Sequence, residues 1–283
     1  MERKKYMDLH THTFYSDGIG TPELNVRTAR IQGIELLAIT DHDKTEGYEE
    51  ARIAGEKMQV QVIPGVEVST DKYHILGLGI NINNPGFIDF LNFSAEEQKK
   101  VCIKRIECLQ AKGVPINLEK VMSLFPKSRL GKMNVQYAMI QDKECQEYFL
   151  KKEGQILTPE IYNKYLLNLD GKWVEDKMTT ITPERAIKEI HAAGGIAIIA
   201  HPNKDITDML EMDELVKLGI DGLEIQPAFN GKTEPFKKYA EERNLLITFG
   251  SDYHGGVFGR TFLGRGENVL YPRLVEALKL GVE

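Results

Sequence analysis

Six of the seven histidines in this 283-residue chain fall in five short segments: DLHTHT (8–13), TDHD (40–43), YHILG (73–77), AHPNK (200–204) and SDYHGG (251–256). Each lies at one end of a predicted strand. Imidazole nitrogens mixed with carboxylate oxygens suit borderline divalent cations such as zinc, manganese or iron. His10 and His12 form the sharpest pair, because side chains two apart in an extended run point to the same side. Asp252 and His254 repeat that spacing after LLITFG. Between them, LLAIT delivers Asp41 and His42, VQVIPGVEV delivers Glu67, and GGIAIIA delivers His201. A single histidine after a strand is more often structural than ligating, and His74 alone would pass for one. The set as a whole resists that explanation, since imidazoles and carboxylates are costly to bury unpaired.

The elements that must position these groups follow from periodicity. Strands are predicted near 5–12, 35–41, 60–68, 196–200, 221–225 and 245–250, with helices near 22–32, 46–58, 183–193, 207–218 and 232–243. This is the βα rhythm of a parallel barrel, in which reactive groups gather at the carboxyl ends of the strands. The segment 73–80 follows Glu67 after a turn too short for a parallel crossover, so it should run antiparallel and return His74 beside Glu67. ENVLY (267–271) could add another strand, and whether the barrel closes is left open. His191 sits inside a helix with Thr182 as N-cap, Pro183 in its first turn and Gly194 at its end, which reads as structural.

From Pro85 to about Thr180 the pattern turns helical and carries no ligand segment. The expected organisation is therefore a barrel of residues 1–84 and 181–283 with a mainly helical insertion subdomain of residues 85–180. The insertion carries a net charge of +2 and the remainder −8. Such an asymmetry could draw an anionic substrate, although an ordinary solvated face would show the same. Composition is that of a folded enzyme, 42% hydrophobic and 28% charged. No apolar run approaches the ~18 residues of a membrane helix, and the N-terminus shows no leader core, so the default location is cytoplasmic. Cys102, Cys108 and Cys145 show no CxxC spacing and read as helix-packing residues.

DLHTHTFYSDG, ITDHD, IPGVEVS, YHILG, AHP and GSDYHGG together resemble the successive motifs of the polymerase and histidinol phosphatase (PHP) superfamily. The resemblance implies an α/β fold, a distorted (βα)7 TIM-like barrel, and a centre of two to three divalent ions. On that pattern His10, His12, Glu67 and Asp252 hold one cation. Glu67 bridges to a second, held with His74 and His201, and Asp17, His42 and His254 hold the third. The place of Asp17, from an ordinary-looking YSDG turn, rests mostly on the resemblance. Asp8, Asp41 and Asp43 are expected to accept ring N–H groups from ligating histidines.

Clustered cations imply phosphoester hydrolysis, read here as in-line attack on a phosphomonoester by a metal-bridging hydroxide. The general acid is not identifiable from the sequence. The branch of nucleoside 3′,5′-bisphosphate phosphatases and short-RNA 5′-exonucleases is the most similar. There an arginine usually follows the AHP histidine where this chain has Lys204, and an Arg-Pro-His run stands where this chain reads Lys132-Met133-Asn134. Lys204, Asn134, Arg260 and Arg265 are the candidate substrate contacts. The partner expected is a small phosphorylated substrate, probable classes being a nucleotide or short RNA, with no membrane and no obligate protein partner evident. Alternatives are a 5′-3′ exonuclease, a histidinol-phosphate phosphatase, hydrolysis of a carbon–nitrogen bond, and a non-catalytic metal-binding module.

Overall fold

The computed structural model describes residues 4–162, 179–226, 233–256, 261–262 and 264–280. Seven strands form one sheet in chain order: β1 (Met7–Asp8), β2 (Leu36–Ile39), β3 (Gln61–Ser69), β4 (His74–Leu78), β5 (Ile196–Ile199), β6 (Gly222–Ile225) and β7 (Leu246–Phe249). All pair in parallel except β4, which runs antiparallel to both neighbours. The tight turn before β4 explains this. Thr70 Oγ1 accepts from Tyr73 N at 3.0 Å, which leaves no room for a crossover. The sheet closes where Leu9 N–H donates to the Phe249 carbonyl at 2.9 Å and Thr11 bridges Tyr253 in parallel. The fold is a distorted (βα)7 TIM-like barrel.

The helices are α1 (Pro22–Gln32), α2 (Gly47–Met58), α3 (Pro85–Ala111), α4 (Leu118–Leu124), α5 (Lys132–Gln141), α6 (Lys143–Glu153), α7 (Pro183–Ala192), α8 (Pro202–Asp205), α9 (Met209–Lys217), α10 (Glu234–Glu242) and α11 (Pro272–Ala277). Their starts follow the expected chemistry. Thr21 and Thr182 cap α1 and α7 by accepting from Leu24 N and Arg185 N, each with proline in the first turn. His191, on α7, meets Asp221 Oδ2 at 2.7 Å, and the same oxygen accepts Ala197 N–H. It is structural, as its place in the helix implied.

Buried apolar residues form two clusters. One fills the barrel and its surrounding helices. The other runs from Cys102 to Tyr162 and includes Ile106, Leu109, Val121 and Phe149. Phe87, Phe90 and Leu91 belong to the barrel cluster, so α3 starts against the barrel and continues into the second core. Cys102 and Cys145 are packed as expected, whereas Cys108 is exposed.

Two strand expectations need correction. Residues 5–12 contribute only a two-residue strand: beyond it Leu9 N–H and His12 N–H donate to Phe249 O and Tyr253 O at the β7 end, while toward β2 Thr11 O accepts Thr40 N–H just past the strand. ENVLY forms no strand. It touches the barrel through an isolated Tyr6–Val269 bridge, and Asn268 hydrogen-bonds the Met7 backbone at the amino end of β1. Pro272 then starts α11, so no length remains for a strand.

Candidate metal centre

The barrel's strand ends bring all nine expected ligands into one buried cluster around Glu67. Nε2 of His10 and Nε2 of His12 lie 3.1 Å apart, which confirms that the two rings share one face. Both sit 3.1 Å from Glu67 Oε2, and Asp252 Oδ1 is 3.5 Å and 3.2 Å from them respectively. The other carboxylate oxygen, Glu67 Oε1, faces His74 Nδ1 at 2.9 Å and His201 Nε2 at 3.2 Å. Asp17 faces His254 Nε2 at 3.3 Å and His42 Nε2 at 3.7 Å. The two oxygens of Glu67 thus address different sets of imidazoles, as a bridging carboxylate would.

The donor set fits divalent cations. His42 Nδ1 and Glu67 Oε2 are buried, 3.2 Å apart, and make no hydrogen bond. Polar atoms left in that condition cost stability unless something else satisfies them. Among the described residues, three groupings converge closely enough for one ion each: His10, His12, Glu67 and Asp252; His12, Asp17, His42 and His254; and His42, Glu67 and His74. The first equals an expected set. The second adds His12 to the expected third set, and the last joins His42 where His201 was expected.

The ring orientations are set by acceptors behind them. His10 Nδ1 meets Glu224 Oε1 at 2.9 Å, His201 Nδ1 meets Asp205 Oδ2 at 2.7 Å, and His254 Nδ1 meets the Asp252 carbonyl at 2.7 Å. The hydrogen bonds of His10 and His254, and the close Asp205 carboxylate beside His201 Nδ1, turn Nε2 toward the centre and favour the tautomer that can ligate. Glu224 and Asp205 therefore take the role expected of Asp8, Asp41 and Asp43. Asp41 acts one step further away: His12 Nδ1 donates to Ser16 Oγ at 3.3 Å, and Ser16 donates to Asp41 at 2.6 Å. Asp43 holds Ser69 N–H, Ser94 Oγ and Arg129. Asp8 accepts Ser251 N–H at 2.9 Å. Glu224 was missed, though an acid in the apolar run GLEIQ was a legible signal. Asp205, four residues after His201, was also in view.

Backbone strain is present here. Asp43, His201 and Asp252 have φ of 53°, 31° and 54°. Such residues cost about 1–3 kcal/mol each and persist where the surroundings over-determine them.

Electrostatics agree with a cluster built for positive charge. Burial opposes ionisation of Glu67 and Asp17, but the neighbouring imidazoles outweigh it and hold both well below the usual carboxylate range. Burial also works against protonated His12, yet bonds to Asp252 and Glu67 raise it to about 9. His42 goes the other way: burial dominates and depresses it.

The cluster floors a cavity of about 550 Å³ that is also lined by Gln98, Val101 and Arg105 of α3 and by Lys132 and Met133 of α5. Lys204 lines it, together with Lys132, from the run that stands where the family has Arg-Pro-His, and with Arg105 and Arg129, which sequence reasoning did not single out. Gln98, Val101 and Arg105 share a face of α3, a spacing that could have exposed them. Lys132 is solvent-exposed as a residue, but desolvation of its ammonium, with Arg105 and Lys204 nearby, lowers its pKa.

Two other expected contacts lie elsewhere. Asn134 is buried and spent on structure, donating to the Ser16 carbonyl at 3.0 Å and accepting Gly131 N–H at 2.7 Å. Arg265 donates to the Gly33 carbonyl at 3.2 Å, just before β2 begins, so it sits at the barrel end away from the ligands. Arg260 lies outside the described residues.

A barrel whose strand ends assemble five or more imidazoles around a shared carboxylate, below a cationic wall, defines a metal-dependent phosphoesterase. The chain belongs to the PHP family, whose domain matches residues 8–155. It is 30% identical over 261 residues to a 5′-3′ exoribonuclease of Haemophilus influenzae, covering 89% of this chain and 90% of that protein. It is 29% identical over 263 residues to a phosphoribosyl 1,2-cyclic phosphate 1,2-diphosphodiesterase of Eggerthella lenta, covering 89% and 95%. A 3′,5′-nucleoside bisphosphate phosphatase of Chromobacterium violaceum is 26% identical over 273 residues, covering 93% and 92%. Among solved structures, a protein of Bifidobacterium adolescentis shares the fold with a TM-score of 0.79 at 24% identity, covering 99% and 97%. No described helix is long and apolar enough to cross a membrane.

Proposed function

We propose that this enzyme hydrolyses a phosphomonoester of a nucleotide carrying a second phosphate, such as a nucleoside 3′,5′-bisphosphate, using two to three manganese, zinc or iron ions. The observation that carries the proposal is the pairing of two facing surfaces in one cavity. On the floor, His10, His12, Glu67 and Asp252 would hold one ion, Glu67, His74 and His201 a second, and Asp17, His42 and His254 a third. On the wall, Arg105, Lys132 and Lys204 form no ion pair among the described residues. Glu160 is the one carboxylate among the wall's lining residues, and it makes no ion pair there.

Bound cations supply Lewis acidity, activating a water and neutralising charge on the phosphoryl group. The chain's own residues do the rest. Arg105 can take a phosphate through its two-pronged fork, whereas Lys132 and Lys204 act as point charges. Holding a second phosphate on the wall would aim the first at the floor and restrict its freedom before reaction. We further propose that residues 85–180 constitute an inserted subdomain that supplies Arg105 and Lys132 to this wall, opposite Lys204 of the barrel. The separate apolar cluster from Cys102 to Tyr162 supports that division.

The Haemophilus influenzae relative favours one second reading, removal of nucleotides from the 5′ end of short RNA. Both readings place a second phosphate on the wall, and they differ in the bond cleaved. The test is a panel of adenosine 3′,5′-bisphosphate, AMP, histidinol phosphate and a 5′-phosphorylated trinucleotide, offered to metal-free enzyme reloaded with manganese or zinc. Phosphate release from the bisphosphate well above the others supports the proposal. Stepwise shortening of the trinucleotide at a higher kcat/KM replaces it with the exonuclease reading.

A further inference from the structure

We infer that the helical insertion is a working part of the third cation set, because two of its side chains hold the backbone that presents His42 and Asp17. The inference rests on Asp17, His42 and His254 forming one ligand set. Neither side chain touches a ligating group, so both are positioning residues.

Arg129 reaches from the insertion into the barrel and is buried there. Its Nε lies 2.9 Å from Asp43 Oδ2 and donates toward the His42 carbonyl at 3.2 Å. Its Nη2 donates to Ser69 Oγ at 3.0 Å. The other oxygen of Asp43 accepts Ser69 N–H at 3.0 Å and Ser94 Oγ at 2.7 Å. One guanidinium thereby ties the carbonyl of a ligand to the end of β3 and to α3. A planar fork with several donors can do this, and a single ammonium cannot. The clamp also stabilises Asp43 in its left-handed conformation, φ 53°.

Asn134 makes the second tie. Its Nδ2 donates to the carbonyl of Ser16, the residue before Asp17, at 3.0 Å. Its Oδ1 is fixed at the start of α5 by Gly131 N–H at 2.7 Å and Ser128 Oγ at 3.3 Å. Between Arg129 and Asn134 the chain turns sharply at Leu130, φ 65°. That turn sends the two side chains to two different barrel loops. Leu130 and Val135 are buried in the insertion's own apolar cluster, so the packing of the insertion sets where both ties end. The first cation set is reached less directly: its His10 ring is backed by Glu224 of the barrel and its His12 ring by Ser16 Oγ.

The test is calorimetric titration of metal-free protein with manganese and, separately, zinc. It compares wild type, Arg129→Lys, Asn134→Ala and Lys127→Ala. Lys127 also joins the insertion to the barrel, lying 4.7 Å and 4.8 Å from the Phe14 and Tyr15 ring centres, but holds no ligand backbone. Thermal unfolding of the metal-free proteins confirms folding, and Asn134→Ala decides the matter if Arg129→Lys does not fold. The expected result is that Arg129→Lys and Asn134→Ala bind one and the same equivalent of metal about tenfold or more less tightly, in line with losses on removing supports of metal ligands. The other equivalents change less, and Lys127→Ala binds all of them normally. Unchanged affinities in the folded variants overturn the inference, as does an equal loss in Lys127→Ala. A wild-type protein that takes no more than two ions overturns the third ligand set and the inference with it.

Discussion

Replacing Glu224 by glutamine isolates how much of the metal affinity is built behind the ligands. The two carboxylate oxygens of Glu224 each receive one buried donor: Oε1 faces His10 Nδ1 at 2.9 Å, and Oε2 accepts His201 N–H at 2.8 Å. Glutamine has the same shape but only one acceptor oxygen. Its NH2 must therefore face a donor, and either the His10 ring or the His201 backbone loses its partner. A buried donor left unsatisfied costs about 1–3 kcal/mol. Loss of such supporting bonds in metal sites costs about 10–100-fold in affinity, or roughly 1.4–2.7 kcal/mol. The two estimates agree. Competition between metal-free protein and a fluorescent chelator reads the affinity directly, and activity against manganese concentration reads it again. Glu224→Gln should need about 10–100-fold more metal for half-maximal activity and recover most of kcat at saturation. A folded Glu224→Gln protein with wild-type metal affinity would refute the reasoning.

Gly250→Ala should damage the same support by crowding, because a Cβ there would collide with the Glu224 carboxylate and with His10. Overpacking of this kind costs about 1–3 kcal/mol, visible as a lower Tm and, more strongly, as weaker metal binding; an unchanged Tm and affinity would show that the β7 end moves freely. Lys132 should impose a pH dependence on substrate binding. Its pKa is depressed by burial, Arg105 and Lys204, so the folded protein releases this proton before the unfolded chain does. Stability from this group therefore rises with pH between the folded and unfolded pKa values, while the charge available to a phosphate is lost across the same window. KM for a bisphosphate should climb on the alkaline side, and Lys132→Arg, which stays charged, should flatten that limb. Superimposable KM profiles for the two proteins would remove Lys132 from the binding wall.

By itself the sequence determined the types and order of the candidate ligands and the class of fold. Metal chemistry needs particular atoms, and those atoms stand at strand ends marked by apolar runs. The antiparallel β4 was legible as well, since a turn as short as Thr70–Tyr73 has one geometric solution. What no local pattern could decide was how ligands share ions. His12 faces Asp17, His42 and His254 as well as His10 and Glu67, because barrel closure sets the rings side by side, with His12 and His254 centroids 4.2 Å apart. The substrate wall was equally hidden. Arg105 looks like an ordinary surface cation in the chain, and it and Lys132 meet Lys204 only at the cavity the packed chain forms. Asn134 and Arg265 show the converse. Both had the right type and a reasonable place in the sequence, yet Asn134 is consumed by the Ser16 carbonyl and Arg265 by Gly33. A side chain's chemistry is written in its type, but which partner claims it depends on distances that only the packed chain sets.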